Sequence, residues 1–275
     1  MKRYALKIFY IGSRYHGFAI QPDKLTVEGE LISALKKCGY IKDRKNAKIN
    51  YASRTDKGVH AVSQVFAFNS LKPLIPMHVN SFLPPDITVW AYASVGDKFN
   101  ARKDATERHY LYVLPIISSV SIKKIEEASS LFEGQHDFSS FMRKRQKVIW
   151  EIKEFKVSQP HGSLLYIEIK APSFTRGMIL KMVGSLIMVG LGKISLRDLE
   201  NALEGKTTLN ITPAPAEGLI LLNVKYREDI CFQVEPKALE RALNKLQDEI
   251  KNLITKTSSR YVLFSLLKSI GHAFL

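Results

Sequence analysis

Short runs with strand character keep returning between helical ones in this chain, and that rhythm restricts it to a sheet covered by helices. Residues 3–11 alternate, "AVSQVFAF" (61–68) and "ITVWAYASV" (87–95) are strand-like, and "ERHYLYVL" (107–114) sets Tyr110 and Tyr112 on one face. Further on, "VIWEIKEFKVS" (148–158) and "LLYIEIKA" (164–171) read as paired strands about the turn "QPHGS", and "LILLNVKY" (219–226) as another strand. Helical signals fall between them. "TVEGELISALKKCG" (26–39) has Thr26 as N-cap, acids in its first turn, lysines near its end and Gly39 as stop. Helices are expected near 121–132 and from about 174. "SLRDLENALEG" opens on Ser195 with Asp198 three residues on, close to a capping box, and stops at Gly205. The tail, about 236–270, is helical and lysine-rich.

Strands and helices in each part predict two α+β halves side by side on one sheet, 1–115 and 116–226, followed by a helical extension over 227–275. A chain of 275 residues buries a good core either way. Its most apolar stretch, "MVGSLIMVGLG" (182–192), is too short to span a bilayer and is bounded by Lys181 and Lys193, so it reads as a buried helix. The start "MKRYALKIFYIG" is not a signal peptide. Cys38 and Cys231 are the two cysteines; without CxxC spacing they offer neither a zinc site nor a disulfide framework, which fits a reducing cytosol.

Forty-one Lys and Arg stand against 26 Asp and Glu, a net charge of +15. That points to a polyanionic partner, nucleic acid first and an anionic membrane second. In "SRTDKGVHA" (53–61) one carboxylate, Asp56, lies between Arg54 and Lys57. Two readings are open: a turn residue before glycine, or a carboxylate nucleophile or base held ionised by its cationic neighbours. Metal catalysis needs a second acid in a recognisable motif, and the one tempting pair, His136–Asp137, lacks further ligands. Tyr110 is either a sheet tyrosine or a ring that stacks on a base and whose phenol moves a proton. "FMRKRQKVIW" (141–150) places Arg143, Lys144, Arg145 and Lys147 between aromatics, a solvated loop or, with Lys57, a set of phosphate contacts.

Taken together, these blocks resemble the TruA-type tRNA pseudouridine synthases. "YIGSRYHGFAIQPDKLTVEGELISALKK" is similar to the family's first strand, loop and helix, with Phe18 where tryptophan is commoner. "SRTDKGVHA" resembles G-R-T-D-x-G-V-H-A with Ser53 in place of glycine. "FNARKDATERHYLYVL" resembles F-x-A-R followed by R-x-Y-x-Y, and "GQHDFSSF" resembles G-x-H-D-F-x-x-F. "FTRGMILKMVGSLIMVG" and "PAEGLILLNVKY" are similar to the two last blocks, in the same order. The likeness runs over about 4–226 and leaves the tail uncovered.

The resemblance implies an α+β fold whose halves share a mixed, mainly antiparallel sheet with helices on one face. It implies isomerisation of uridine to pseudouridine in the anticodon stem-loop of tRNA by a cytoplasmic homodimer, with no metal, cofactor or membrane involved. By the same resemblance Asp56 is the catalytic aspartate, Arg54 turns the target nucleotide outward and Tyr110 packs on the base. One position departs from the pattern. The arginine expected to pair with the aspartate is Leu180, which cannot form an ion pair. Lys181 is adjacent but points about 100° away on a helix. Arg176 is one turn back on the same face if the helix includes it, and is the preferred substitute. Without either, the chain would be a tRNA-binding protein with little or no catalysis.

Overall fold

The computed structural model describes residues 1–116, 120–142 and 148–273. In chain order its elements are β1 (Lys2–Tyr10), α1 (Val27–Lys37), β2 (Asn50–Tyr51), β3 (His60–Ser70), α2 (Pro76–Asn80), β4 (Ile87–Ser94) and β5 (Ala105–Pro115). There follow α3 (Ile122–Ser129), β6 (Gly134–Asp137), β7 (Ile149–Ile152), β8 (Glu154–His161), β9 (Leu164–Ala171), α4 (Met178–Gly190) and α5 (Leu196–Leu203). The last are β10 (Leu219–Tyr226), β11 (Gln233–Val234) and α6 (Pro236–Ala273).

One sheet runs in the order β11-β4-β1-β3-β10-β5-β9-β8, with β2 added beside β3. Among the described strands only β3 and β10 pair in parallel, through Ile220 opposite His60 and Leu221 opposite Ala61. This seam joins the two sides of the sheet, and the expected mixed, mainly antiparallel α+β architecture is what the chain adopts. Directly opposed residues share a face. The ladders therefore align Tyr10, Ala61, Leu221, Tyr110, Ile169 and Phe155 in one row across β1, β3, β10, β5, β9 and β8. Every member of that row is buried. It is the transverse spine of the core, and Tyr110 lies next to its middle.

The helices follow their sequence signals closely. Thr26 Oγ1 accepts the Gly29 N–H, capping α1, and Val27, Leu31, Ala34 and Leu35 bury one face of that helix. At α5 the capping box is complete, with Ser195 and Asp198 satisfying each other's backbone N–H groups. The apolar helix α4 is buried on nearly all sides, as expected. Among the described residues no helix is long and apolar enough to cross a membrane.

Two local expectations change. The single strand expected over 148–158 divides at Lys153, whose N–H donates to Lys170 O. Its first part, β7, pairs with β6, while β8 stays in the main sheet beside β9. Because β8 is an edge strand, Pro160 within it costs no ladder hydrogen bond. The helix expected from about 174 begins at Met178, since Gly177 takes a left-handed conformation with φ 72° and stops the helix from starting earlier.

Where α4 sits is set by a close backbone approach. Leu180 O accepts the Ala214 N–H at 2.8 Å, and a Cβ added at Gly184 would lie 2.1 Å from Thr212 O. In an open helix, Gly→Ala would stabilise by about 1 kcal/mol. Here the overlap reverses the sign, and Gly184→Ala is expected to cost about 1–3 kcal/mol. A urea titration at neutral pH checks this as a lowered midpoint with an unchanged slope; a raised midpoint would show that the helix is not pressed on that segment.

Candidate active site

The segment Ser53–Asp56 leaves the sheet just before β3 and lies over the spine of the core. Two tyrosines of the spine reach up to it. Tyr10 Oη is 2.7 Å from Thr55 Oγ1, and Tyr110 Oη is 2.6 Å from Ser53 Oγ. Gln64, fully buried on β3, grips both polar backbone atoms of Ser53: its Oε1 accepts the Ser53 N–H at 3.0 Å and its Nε2 donates to Ser53 O at 2.6 Å. On the other side Phe18 N–H donates to Thr55 O, and Gly17, at φ 96°, leaves no room there for a Cβ. The segment is thus fixed from several elements, a rigid mounting for the residue that follows.

That residue is Asp56, and its side-chain contacts are not those of a turn residue. A turn aspartate spends its side chain on nearby backbone N–H groups. Here the turn is closed by main chain alone, Val59 N–H to Asp56 O. The carboxylate oxygens go elsewhere. Arg176 Nε donates to Oδ1 at 2.8 Å, and Gly177 N–H donates to Oδ2 at 3.1 Å. Gly177 is the N-cap of α4, so the carboxylate meets the positive end of that helix. The expected cations do not make these contacts. Arg54 and Lys57 are exposed and enter no ion pair among the described residues, whereas Arg176 comes from 120 positions away. Arg176 is the cation that reaches Asp56, and it does so from the turn before α4 and not from the helix face. Lys181 donates instead to the carbonyls of Ser140 and Met142.

A cavity of about 340 Å³ opens beside Asp56. Tyr110, Phe174 and Leu180 give it apolar wall, while Asp56, Arg108 and Arg176 supply charge. Phe174 meets Tyr110 edge-on with ring centroids 5.4 Å apart. Burial pushes the Tyr110 phenol up to about 12, against smaller downward pulls from the Ser53 hydrogen bond and from Arg108. It is a neutral phenol at physiological pH.

Arg108, two residues before Tyr110 and on the same face of β5, is 5% exposed. Its guanidinium has backbone carbonyls as partners: Ala52 O at 2.9 Å from Nη2, Arg102 O at 2.7 Å, Ala105 O at 3.3 Å, and Pro172 O. Burial lowers its pKa from the ordinary guanidinium value, yet arginine keeps its proton in proteins. Sequence reasoning had not assigned Arg108, Gln64 or Ser53 a role at the site. Alternation carried a signal for Arg108: a charged residue in phase with Tyr110 and Tyr112 must either be paired or break the buried face.

The other expected residues are distributed as follows. Arg143, Lys144, Arg145 and Lys147 lie outside the described residues. His136 and Asp137 serve local structure, with His136 Nε2 against Glu133 O and Asp137 Oδ1 accepting Ser139 N–H. Among the described residues no three His, Cys, Asp or Glu side chains gather where they would hold a metal ion.

Comparison with known proteins adds a second line. A family model described as tRNA pseudouridine synthase matches residues 128–227. A protein of Methanothermobacter thermautotrophicus is 37% identical over 252 residues, covering 91% of each chain. One of Methanosarcina barkeri is 41% identical over 258 residues, covering 90% of this chain and 93% of its own. One of Thermococcus sibiricus is 37% identical over 259 residues, covering 93% and 96%. Each of the three is named tRNA pseudouridine synthase A. A chain in "Structure of H/ACA RNP bound to a substrate RNA containing 2'-deoxyuridine" overlaps at a TM-score of 0.34 and 12% identity, over 67% of this chain and 44% of that one.

The buried phenol makes stability depend on alkaline pH. An unfolded tyrosine ionises near pH 10, and Tyr110 in the folded chain near 12. A raised folded pKa contributes stability that is whole below the lower value and is lost as pH climbs through the higher one. Tyr110→Phe is expected to cost about 1 kcal/mol at neutral pH through the lost Ser53 hydrogen bond. It should also make the decline between about pH 10 and 12 shallower. Denaturant midpoints measured at pH 7, 10 and 11 test both; an unchanged alkaline slope would mean that the phenol is not shielded.

Proposed function

This chain belongs to the tRNA pseudouridine synthase A family, and from that membership and the pocket beside Asp56 we propose that it isomerises uridine to pseudouridine in the anticodon stem-loop of tRNA. The observation that carries the reading is the placement of one carboxylate, held by Arg176 and the N-terminus of α4, at a cavity walled by a buried tyrosine. The reaction breaks the N1–C1′ bond, turns the uracil, and joins C5 to C1′.

Asp56 works in its ionised form, by adding to the sugar, by adding to the base, or by taking a proton from the sugar as uracil leaves. Arg176 and the Gly177 N–H each donate to the carboxylate and fix its direction at the cavity. Arg176 is 60% exposed and the carboxylate 23%, so the acid stays within reach of a ligand entering from solvent. Leu180 leaves apolar wall where the family pattern has its cation, and the displaced cation still meets the acid. That contact supports an active enzyme over a passive tRNA binder. The target base has to leave its stack, which costs a few kcal/mol. Stacking on Tyr110 offsets part of that cost. Arg54 at the exposed lip engages the RNA as the nucleotide turns out, and Lys57 with Arg143, Lys144, Arg145 and Lys147 meets phosphates.

The working protein is a cytoplasmic homodimer in this reading. What supports the dimer is α6, whose Leu243, Ile250, Leu253, Ile254, Tyr261 and Phe264 recur at helical spacing along one side and are each more than half exposed. Such a stripe calls for cover. A second copy covers it with its own stripe.

Purified protein incubated with an unmodified tRNA transcript should form pseudouridine in the anticodon arm. Asp56→Ala should form none, and Arg176→Gln should lose at least about tenfold in kcat with a smaller change in KM. Pseudouridine formed only outside that arm would refute the target, and an active Asp56→Ala would refute the site. In sedimentation runs the wild type should behave as a dimer and the double variant Ile250→Glu, Leu253→Glu as a monomer. A wild-type monomer at micromolar concentration would rule the α6 contact out.

A further inference from the structure

Forming pseudouridine leaves a proton to dispose of. Once C5 is bonded to C1′ it still carries its hydrogen, and the C5–H bond must break so that its electron pair restores the C5=C6 double bond. Over the whole reaction C5 loses a proton and N1 gains one, so nothing is oxidised or reduced. The Tyr110 phenol lines the cavity beside Asp56 and is a group that can take that proton, and the inference below rests on the function proposed above.

Tyr110 is poorly suited to the task alone. With its phenol pushed up to about 12, it holds its own proton at neutral pH. It can take a second only as it gives the first away. The residue is 4% exposed, so the phenol has little direct access to water. Among the described residues its hydroxyl has a single hydrogen-bond partner, Ser53 Oγ at 2.6 Å. Ser53 is half-buried, lines the same cavity, and is held by both hydrogen bonds of the fully buried Gln64. A hydroxyl both donates and accepts, so it can pass a proton without changing charge.

We propose that Ser53 is the positioning residue for the last proton transfer: its hydroxyl fixes the Tyr110 phenol and receives the phenol's proton as the phenol takes the one leaving C5. The Ser53 proton moves on to water at the cavity mouth, and N1 takes a proton from solvent. Each oxygen ends with the number of protons it began with. Gln64 makes the arrangement repeatable, because a serine gripped at both its N–H and its C=O carries its hydroxyl in a fixed place.

The test uses the full-length protein and tRNA carrying tritium or deuterium at C5 of the target uridine. Under single-turnover conditions Ser53→Ala should release C5 tritium about 10- to 100-fold more slowly than wild type. The deuterated substrate should then show a primary isotope effect, with tRNA affinity unchanged. Ser53→Thr keeps the hydroxyl and should recover to within a few-fold. Tritium release at the wild-type rate with no isotope effect in Ser53→Ala overturns the proposal. So does equal impairment of the Ala and Thr variants accompanied by weaker tRNA binding, which marks a structural role. A wild type that forms no pseudouridine removes the reading of the pocket and this role together, whereas an active wild type with an indifferent Ser53→Ala removes this role alone.

Discussion

The site depends on one buried cation bound by carbonyl oxygens. Taking a guanidinium out of water costs several kcal/mol, and a carboxylate partner is the usual compensation. Arg108 has carbonyls from Ala52, Arg102, Ala105 and Pro172 in its place. Its planar fork of donors suits this task, and a lysine could not satisfy four divergent acceptors. The consequence is geometric. Ala52 leads into Ser53–Asp56, and Pro172 leads into Arg176 and Gly177. One side chain therefore ties the segment that carries the acid to the segment that carries its cation.

Beneath that tie the sheet supplies alignment. The parallel β3·β10 seam puts β5 beside β10, so that Tyr110 stands in the same transverse row as Tyr10. Both phenols then reach the Ser53–Asp56 segment from below. The polar groups under this segment are paired with one another, as buried groups must be, and rigidity follows. In the outer shell Arg54, Lys57 and Arg176 are exposed, with Arg176 paired to Asp56, so positive charge faces solvent where a polyanion can reach it.

Two departures from the family pattern turn out to be local rearrangements. Leu180 lies in α4, and Arg176, four residues earlier, reaches Asp56 from a turn. The left-handed Gly177 permits this, because it ends the turn and also presents its own N–H to the same carboxylate. Ser53, at a position where glycine is commoner, adds a hydroxyl that the buried phenol uses. Asp56 and Tyr110 both line the cavity beside these contacts.

Much of the architecture was legible in the sequence because it rests on local rules. Alternation marked the strands and phased Tyr110 with Tyr112; Thr26, Gly39, Ser195 and Asp198 marked helix ends; and the motif order marked Asp56 and Tyr110 as partners. What failed locally was the break at Lys153, since β7 finds β6 only through a ladder that no neighbouring residue announces. The identity of the carboxylate's partners also lay beyond local rules. Arg54 and Lys57 are near Asp56 in the chain, and charge alone nominated them, but a side chain's direction from a turn is set by what packs around it. The sequence by itself determined the elements and the charge, and it put Asp56 and Tyr110 forward as candidates. Only the tertiary structure decided that Arg176 and Gly177 hold the acid, that Ser53 holds the phenol and that Arg108 binds their loops, because such contacts depend on strand order and helix placement across more than a hundred residues.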